Sequence, residues 1–368
     1  MAQHPYKDLP AQNFWKRSVA EPAADQVDPV VSGKFRIRLT DRVATAGSCF
    51  AQHIARHLRA AGFNYFVSEP PHPFIPLHLA GRFGYGLFTA RYGNVYTSRQ
   101  LIQLLKRAFG LFHPVDDAWP SDDGYLIDPF RPQIQPRGFA SAAEYSIDRQ
   151  QHFAAVRKAV EELDVFVFTL GLTETWANKE DGAVYPLCPG VAGGTFDGHR
   201  YEFMNLTAGA VADDLREIVE FIRQRNAAAR MILTVSPVPL VATAVPRSVL
   251  VSNTYSKAVL RVAAEEVASG DERTAYFPSY EIITGNHTRG RYFDDDLRSV
   301  TEEGVNRVMA LFMQHYTEFP AAPQLGQPPH SNLDKERNID LQRQEAIAGA
   351  MAVMCDEEVL DESAPKTG

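Results

Sequence analysis

Apolar positions along the chain fall into two alternating patterns. Val43 to Ala46, Tyr65 to Val67, Val165 to Leu170, Met231 to Val235 and Thr274 to Phe277 are short apolar runs that read as buried strands. Between them, Cys49 to Ala61, Ala142 to Leu163, Ala208 to Arg225 and Tyr255 to Ala268 carry apolar residues at helical spacing, and Thr301 to Tyr316 adds a last helix. Strands alternating with helices of this length predict parallel crossovers, and so an α/β fold whose central parallel sheet is covered on both faces. Such sheets bind ligands at the carboxyl ends of their strands. That rule directs attention to loops beginning near Ser48, Ser68, Gly171, Ser236 and Pro278, each rich in Gly, Pro, Ser, Thr or Asn.

The same pattern divides the chain. A polar arm runs to residue 38, the α/β domain spans 39–318, and residues 319–368 form a proline-rich linker, a helix over Lys335 to Met354 and an acidic tail. Within the domain, the excursion from Ser68 to Phe139 is longer than a connection needs and holds its own helix from Ser98 to Phe109. It reads as a lid or substrate wall, with an oligomer contact as the alternative. The helix beyond the linker could also dock on a neighbouring subunit.

Composition narrows the classes. The chain has 368 residues, 45% hydrophobic and 22% charged, the profile of an ordinary globular protein. A formal net charge of −8 argues against a large nucleic-acid or anionic-membrane footprint. The start, Met1-Ala2-Gln3-His4-Pro5, lacks a basic segment followed by an apolar core, so a soluble, cytoplasmic protein is the expectation. Three cysteines, Cys49, Cys188 and Cys355, fit neither a disulfide scaffold nor a zinc site. No cofactor and no metal are expected.

Ser48 is the first candidate for chemistry. It sits in Ala46-Gly47-Ser48-Cys49-Phe50, where a predicted strand turns through glycine into a helix bearing Phe50, Ile54, Leu58 and Ala61 on one face. A serine there stands at the carboxyl edge of the sheet beside helix N-terminal amides that can hold an oxyanion. It can equally cap the helix. Cys49 follows the turn and should point into the helix packing.

These residues resemble the GSCFA family, which takes its name from Gly47-Ser48-Cys49-Phe50-Ala51. Arg91 to Thr97, Ser236-Pro237-Val238 and Phe277-Pro278-Ser279-Tyr280-Glu281 also look like its recurring segments, and the likeness runs from Val43 to Tyr316. The family is grouped with SGNH/GDSL-like hydrolases, so the resemblance implies a flavodoxin-like three-layer α/β/α sandwich and Ser48 as nucleophile. It also implies an oxyanion hole made by the Ser48 amide, a glycine amide and an asparagine side chain. Gly93 or Asn94 is the candidate for the second donor, although both residue types also suit a turn with positive φ.

By the same resemblance Gly171-Leu172-Thr173-Glu174 takes the place of the Gly-x-Asn-Asp block of SGNH hydrolases, with Thr and Glu for Asn and Asp. The Thr173 hydroxyl can donate to an oxyanion. Glu174 can orient a partner, bind a substrate hydroxyl or cap the next segment, and Trp176 suits stacking on a sugar face or plain packing. Gly171, Glu174 and Trp176 are therefore the substrate-binding candidates.

The last block departs further. SGNH hydrolases place an Asp and, three residues on, a His before the final helix; here Asp296 is followed by Ser299. A serine without a base is a poor nucleophile at neutral pH. His287, on the same loop as Asp296, is the substitute; His53 and His72 are less suitable. Asp294, Asp295 and Asp296 together read as solvated charge at a helix N-terminus rather than a metal site. The expectation is a serine esterase or acyltransferase acting on a small-molecule or glycan O-acyl ester, with Ser48, Asp296 and His287 as catalytic residues. The competing expectation is a catalytically silent ligand-binding protein that keeps the fold and lacks the histidine base.

Overall fold

The computed structural model describes residues 4–121, 123–318 and 360, apart from the side chains of 77 and 78. The linker, the helix expected over Lys335 to Met354 and the acidic tail lie outside the described residues, except Leu360. From the first strand the chain runs β1 (Val43–Gly47), α1 (Ala51–Ala60), α2 (Leu77–Arg82), α3 (Ser98–Ala108), β2 (Trp119–Pro120), β3 (Leu126–Ile127) and α4 (Ala142–Glu162). It continues through β4 (Val165–Leu170), β5 (Glu174–Asn178), β6 (Val184–Tyr185), β7 (Tyr201–Asn205), α5 (Ala208–Arg225), β8 (Arg230–Val235), α6 (Val249–Ser269), β9 (Thr274–Phe277), α7 (Ser279–Thr284) and α8 (Glu302–Tyr316).

The central sheet is parallel, in the order β1-β4-β8-β9. Side-chain alternation explains why helices cover both faces. Ala44, Ala46, Phe166, Phe168, Met231 and Leu233 point into one apolar cluster with residues of α3, α4, α5 and α6. Val43, Val165, Val167, Ile232, Ala275 and Phe277 point into a second cluster with α1, α7 and α8. With both faces covered, the strands are buried almost throughout and read as near-continuous apolar runs.

The run from Tyr65 to Val67 does not form a full strand. Tyr65 makes one parallel bridge to Val43, on the edge of β1 opposite β4, held by Val43 N–H to Asn64 O at 3.0 Å and Phe66 N–H to Val43 O at 2.8 Å. A second, antiparallel sheet in the order β6-β5-β7 follows β4. No helix among the described residues is long and apolar enough to cross a membrane.

The excursion from Ser68 to Phe139 is anchored in the fold. Its helix α3 carries a capping box, Thr97 with Gln100, and buries Leu101, Ile102, Leu104 and Leu105 in the first cluster. Arg91, about a third of the way along it, and Arg131, near its end, both reach Asp148 of α4, at 2.6 and 2.7 Å. Both guanidiniums are almost wholly buried, and Arg131 also binds Asp128 at 2.7 Å.

Candidate functional site

β1 ends at Gly47, whose φ of +143° is closed to ordinary L-residues. A Cβ there would lie 2.4 Å from the Thr169 carbonyl oxygen of β4. The tight approach lets Ser48 N–H donate to Thr169 O at 3.1 Å, while Gly47 O accepts from Val95 N–H at 2.9 Å. Ser48 is therefore pinned between β4 and the segment that precedes α3.

The serine does not cap the helix. α1 takes Phe50 as its N-cap and has no side-chain cap. Ser48 is 3% exposed, and its Oγ is buried without a hydrogen-bond partner. The neighbouring Thr169 hydroxyl is in the same condition. Orphaned buried hydroxyls are uncommon and cost about 1–3 kcal/mol each. Ser48 lines neither the cavity of about 30 Å³ beside Gly93 and Asn94 nor the one of about 510 Å³ between α3 and α4. Cys49 turns inward, buried at 3%, as its position after the bend requires.

The oxyanion candidates fare differently. The Ser48 amide is spent on Thr169, which leaves the next N–H groups, of Cys49 and Phe50, at the open start of α1 with no acceptor among the described residues. Thr173 is also spent: its hydroxyl donates to half-buried Asn205 Oδ1 at 2.6 Å and its N–H to buried Ser256 Oγ at 3.0 Å. The expected Thr173 contact to an oxyanion is thus corrected by a tertiary bond from β7. Gly93 keeps its turn, with φ +65°, and a Cβ there would meet nothing within 4 Å. Gly93 and Asn94 line a cavity of about 30 Å³ with Gln52 of α1 and Arg131.

Gly171 is a close neighbour of the serine. A Cβ on it would lie 3.2 Å from Ser48 Cβ and 3.2 Å from the Tyr96 ring. Its N–H and that of Leu172 both donate to Tyr96 O, at 2.9 and 3.2 Å. Its carbonyl accepts from Lys257 Nζ of α6 at 2.6 Å. Lys257 is 1% exposed, and sequence reasoning passed over it. The signal was there: a lysine in the stripe of Ser252, Ser256, Val259, Leu260 and Ala263 falls on the face that packs against the sheet.

The acid and base expected from the last loop are not brought to Ser48. Asp296 is exposed and holds a turn, accepting from Ser299 Oγ at 2.6 Å and from the N–H groups of Arg298 and Ser299 at 2.8 Å each. These bonds keep its carboxyl below the usual range, with the Ser299 hydroxyl first. His287 sits in a 3₁₀ turn over Gly285, and burial followed by the Arg307 charge lowers its pKa. His53 accepts from Arg56 Nη2 at 2.9 Å through Nδ1. His72 is exposed beside Phe74. Because Ser48 Oγ has no hydrogen-bond partner, no imidazole, His287 included, is in reach of it.

Glu174 binds protein rather than open space, accepting from Thr243 Oγ1 at 2.7 Å and Ala244 N–H at 3.2 Å. Trp176 packs edge-on against Phe196 and Phe203 within the antiparallel sheet, so its ring is a packing element. A buried pair went unpredicted: His152 Nδ1 donates to Glu69 Oε2 at 2.8 Å, and its Nε2 is buried with no partner. Sequence alone gives no hint of a contact across 83 residues.

Neither the curated proteins nor the solved structures contain a match to this chain. A family model does match, over residues 42–312, which take in β1 through most of α8 and every candidate named above. The chain belongs to the GSCFA family.

Proposed function

We propose that this protein is an SGNH-like serine esterase or acyltransferase acting on an O-acyl group, such as one carried by a carbohydrate, with Ser48 as nucleophile. The observation that carries this reading is the Ser48 hydroxyl, which neither caps α1 nor bonds to any neighbour although it is buried at the carboxyl end of β1. A protein has no structural reason to keep such a group, and a reaction gives it one. The sheet supports the reading as well. With Tyr65 outside β1, the order corresponds to the flavodoxin-like arrangement of a doubly wound sheet, and Ser48 stands at its carboxyl edge.

In this mechanism Ser48 Oγ attacks the acyl carbon, and the Cys49 and Phe50 N–H groups at the start of α1 receive the charge on the carbonyl oxygen. The C–O bond to the alcohol then breaks, the alcohol leaves with the serine's proton, and water or an acceptor hydroxyl takes the acyl group from the serine. The proton goes first to a group other than an imidazole of the last loop. Lys257 is the proton acceptor in this reading: its amine rests on the carbonyl of Gly171, a close neighbour of the serine, without touching Ser48 Oγ, so the movement that admits substrate has to bring the two together. Because Ser48 is 3% exposed, substrate entry requires a neighbouring segment to move, and the one around Tyr96, packed on Gly171, is the candidate. The test is labelling of the full chain by a fluorophosphonate and turnover of acetyl and longer acyl esters: both should vanish in Ser48→Ala, and labelling that persists in that variant removes the nucleophile.

A second reading is favoured by one observation, the Ser299–Asp296 bond at the positions where SGNH hydrolases carry their base and acid. In that reading the chain binds an ester or glycan without cleaving it. A wild-type chain that binds acyl esters saturably, yet neither turns them over nor takes the label, would select it.

A further inference from the structure

A second site lies away from the serine, between the end of α3, the loop that follows it and one face of α4. The cavity measures about 510 Å³. α4 presents Arg149, Phe153 and Arg157 to it at successive four-residue steps, so one helical stripe supplies two cations and a ring. Phe109, Phe112 and Pro114 add apolar wall, and Arg107 comes from α3.

Arg107 is the unusual member. It is 6% exposed, its guanidinium carbon lies 3.4 Å from the Phe130 ring centroid and 5.2 Å from that of Phe153, and it makes no hydrogen bond or ion pair among the described residues. Asp128, the acid that acts on it, is already held by Arg131 Nε and Phe130 N–H. A guanidinium whose faces lie on rings has its in-plane N–H fork left to bind, and that fork matches carboxylate or phosphate oxygens. Burial pulls the Arg107 pKa down to about 10, the cost of a charge awaiting a counter-charge.

The other charges decide the class of anion. Arg149 is neutralised by Asp117, and Arg157 donates to the Ala108 carbonyl at 2.5 Å, which also quiets the negative end of α3. Two uncompensated cations remain, beside aromatic walls. We propose that this cavity binds a phosphate monoester with an apolar body, its phosphate on the Arg107 fork with Arg157 alongside, and its organic group on Phe109, Phe112 and Phe153. The site is independent of the chemistry at Ser48.

The experiment is calorimetric titration of the full chain with phenyl phosphate, inorganic phosphate and phenol. Phenyl phosphate should bind saturably and more tightly than either half-ligand. Arg107→Gln should weaken it at least about tenfold, as loss of a charge-assisted pair does, and Ser48→Ala should leave it unchanged. If Arg107→Gln fails to fold, Arg157→Gln, whose side chain is partly exposed, should still weaken binding several-fold. Absence of saturable binding by the wild type, or equal affinity in the arginine variants, overturns the proposal.

Discussion

Gly47 stands so close to Thr169 that a single added carbon would lie 2.4 Å from the threonine's carbonyl oxygen and 2.7 Å from its Cβ. That contact, with the positive φ, fixes where β1 stops and where Ser48 points. Gly47→Ala should therefore cost about 2–4 kcal/mol, measured as a lower urea midpoint at unchanged slope. A variant as stable as the wild type would mean that the turn is not under this constraint.

Ser48→Ala should behave in the opposite way. Removing a buried hydroxyl that has no partner is neutral or stabilising, so unfolding free energy should stay level or rise by up to about 1 kcal/mol while acyl chemistry is lost. A loss of more than about 1 kcal/mol would reveal a structural bond to that oxygen.

Lys257→Met removes the amine and keeps the stem. If the amine takes the serine's proton, ester turnover should fall by about a hundredfold or more. Turnover unchanged in a folded Lys257→Met chain would leave the lysine as a bracket for the Gly171 carbonyl.

Acid should loosen the fold through two imidazoles. Burial first, then Arg56 and His57, lower His53 to about 3, and burial followed by Arg131 lowers His152 against the pull of Glu69. Both are bases held below the free value of 6.5, so the unfolded chain takes up protons that the native one refuses. Their stabilisation is complete above 6.5 and is lost as pH falls toward the folded values, by up to about 1.4 kcal/mol per pH unit for each group. The melting temperature should drop between about pH 6.5 and pH 5, and His152→Gln should flatten that slope. A profile of equal steepness in the variant would remove His152 from the account.

Much of the frame was legible because it follows from local pattern. Val165 to Leu170 and Ala208 to Arg225 coincide with β4 and α5, and the turn at Gly47 was evident from a glycine between strand and helix. α6 begins six residues before the expected Tyr255, because Val249, Leu250 and Val251 face solvent and do not join its apolar stripe. The short strands β5 to β7 lack alternation long enough to read. At the site, residue type indicated what Thr173, Glu174 and Asp296 could do, but their partners, Asn205, Thr243 and Ser299, decide what they are free to do. Two of those three partners lie more than thirty residues away, where no sequence period reaches.

The double grip of Arg91 and Arg131 on Asp148 limits how a doorway to Ser48 can form. Releasing either arginine from Asp148 breaks a buried charge-assisted hydrogen bond, at about 1.5–3 kcal/mol. The 68–139 excursion therefore cannot hinge away as one flap while both clasps hold. A passage made by this excursion opens between the clasps, in the part of the chain that carries Tyr96.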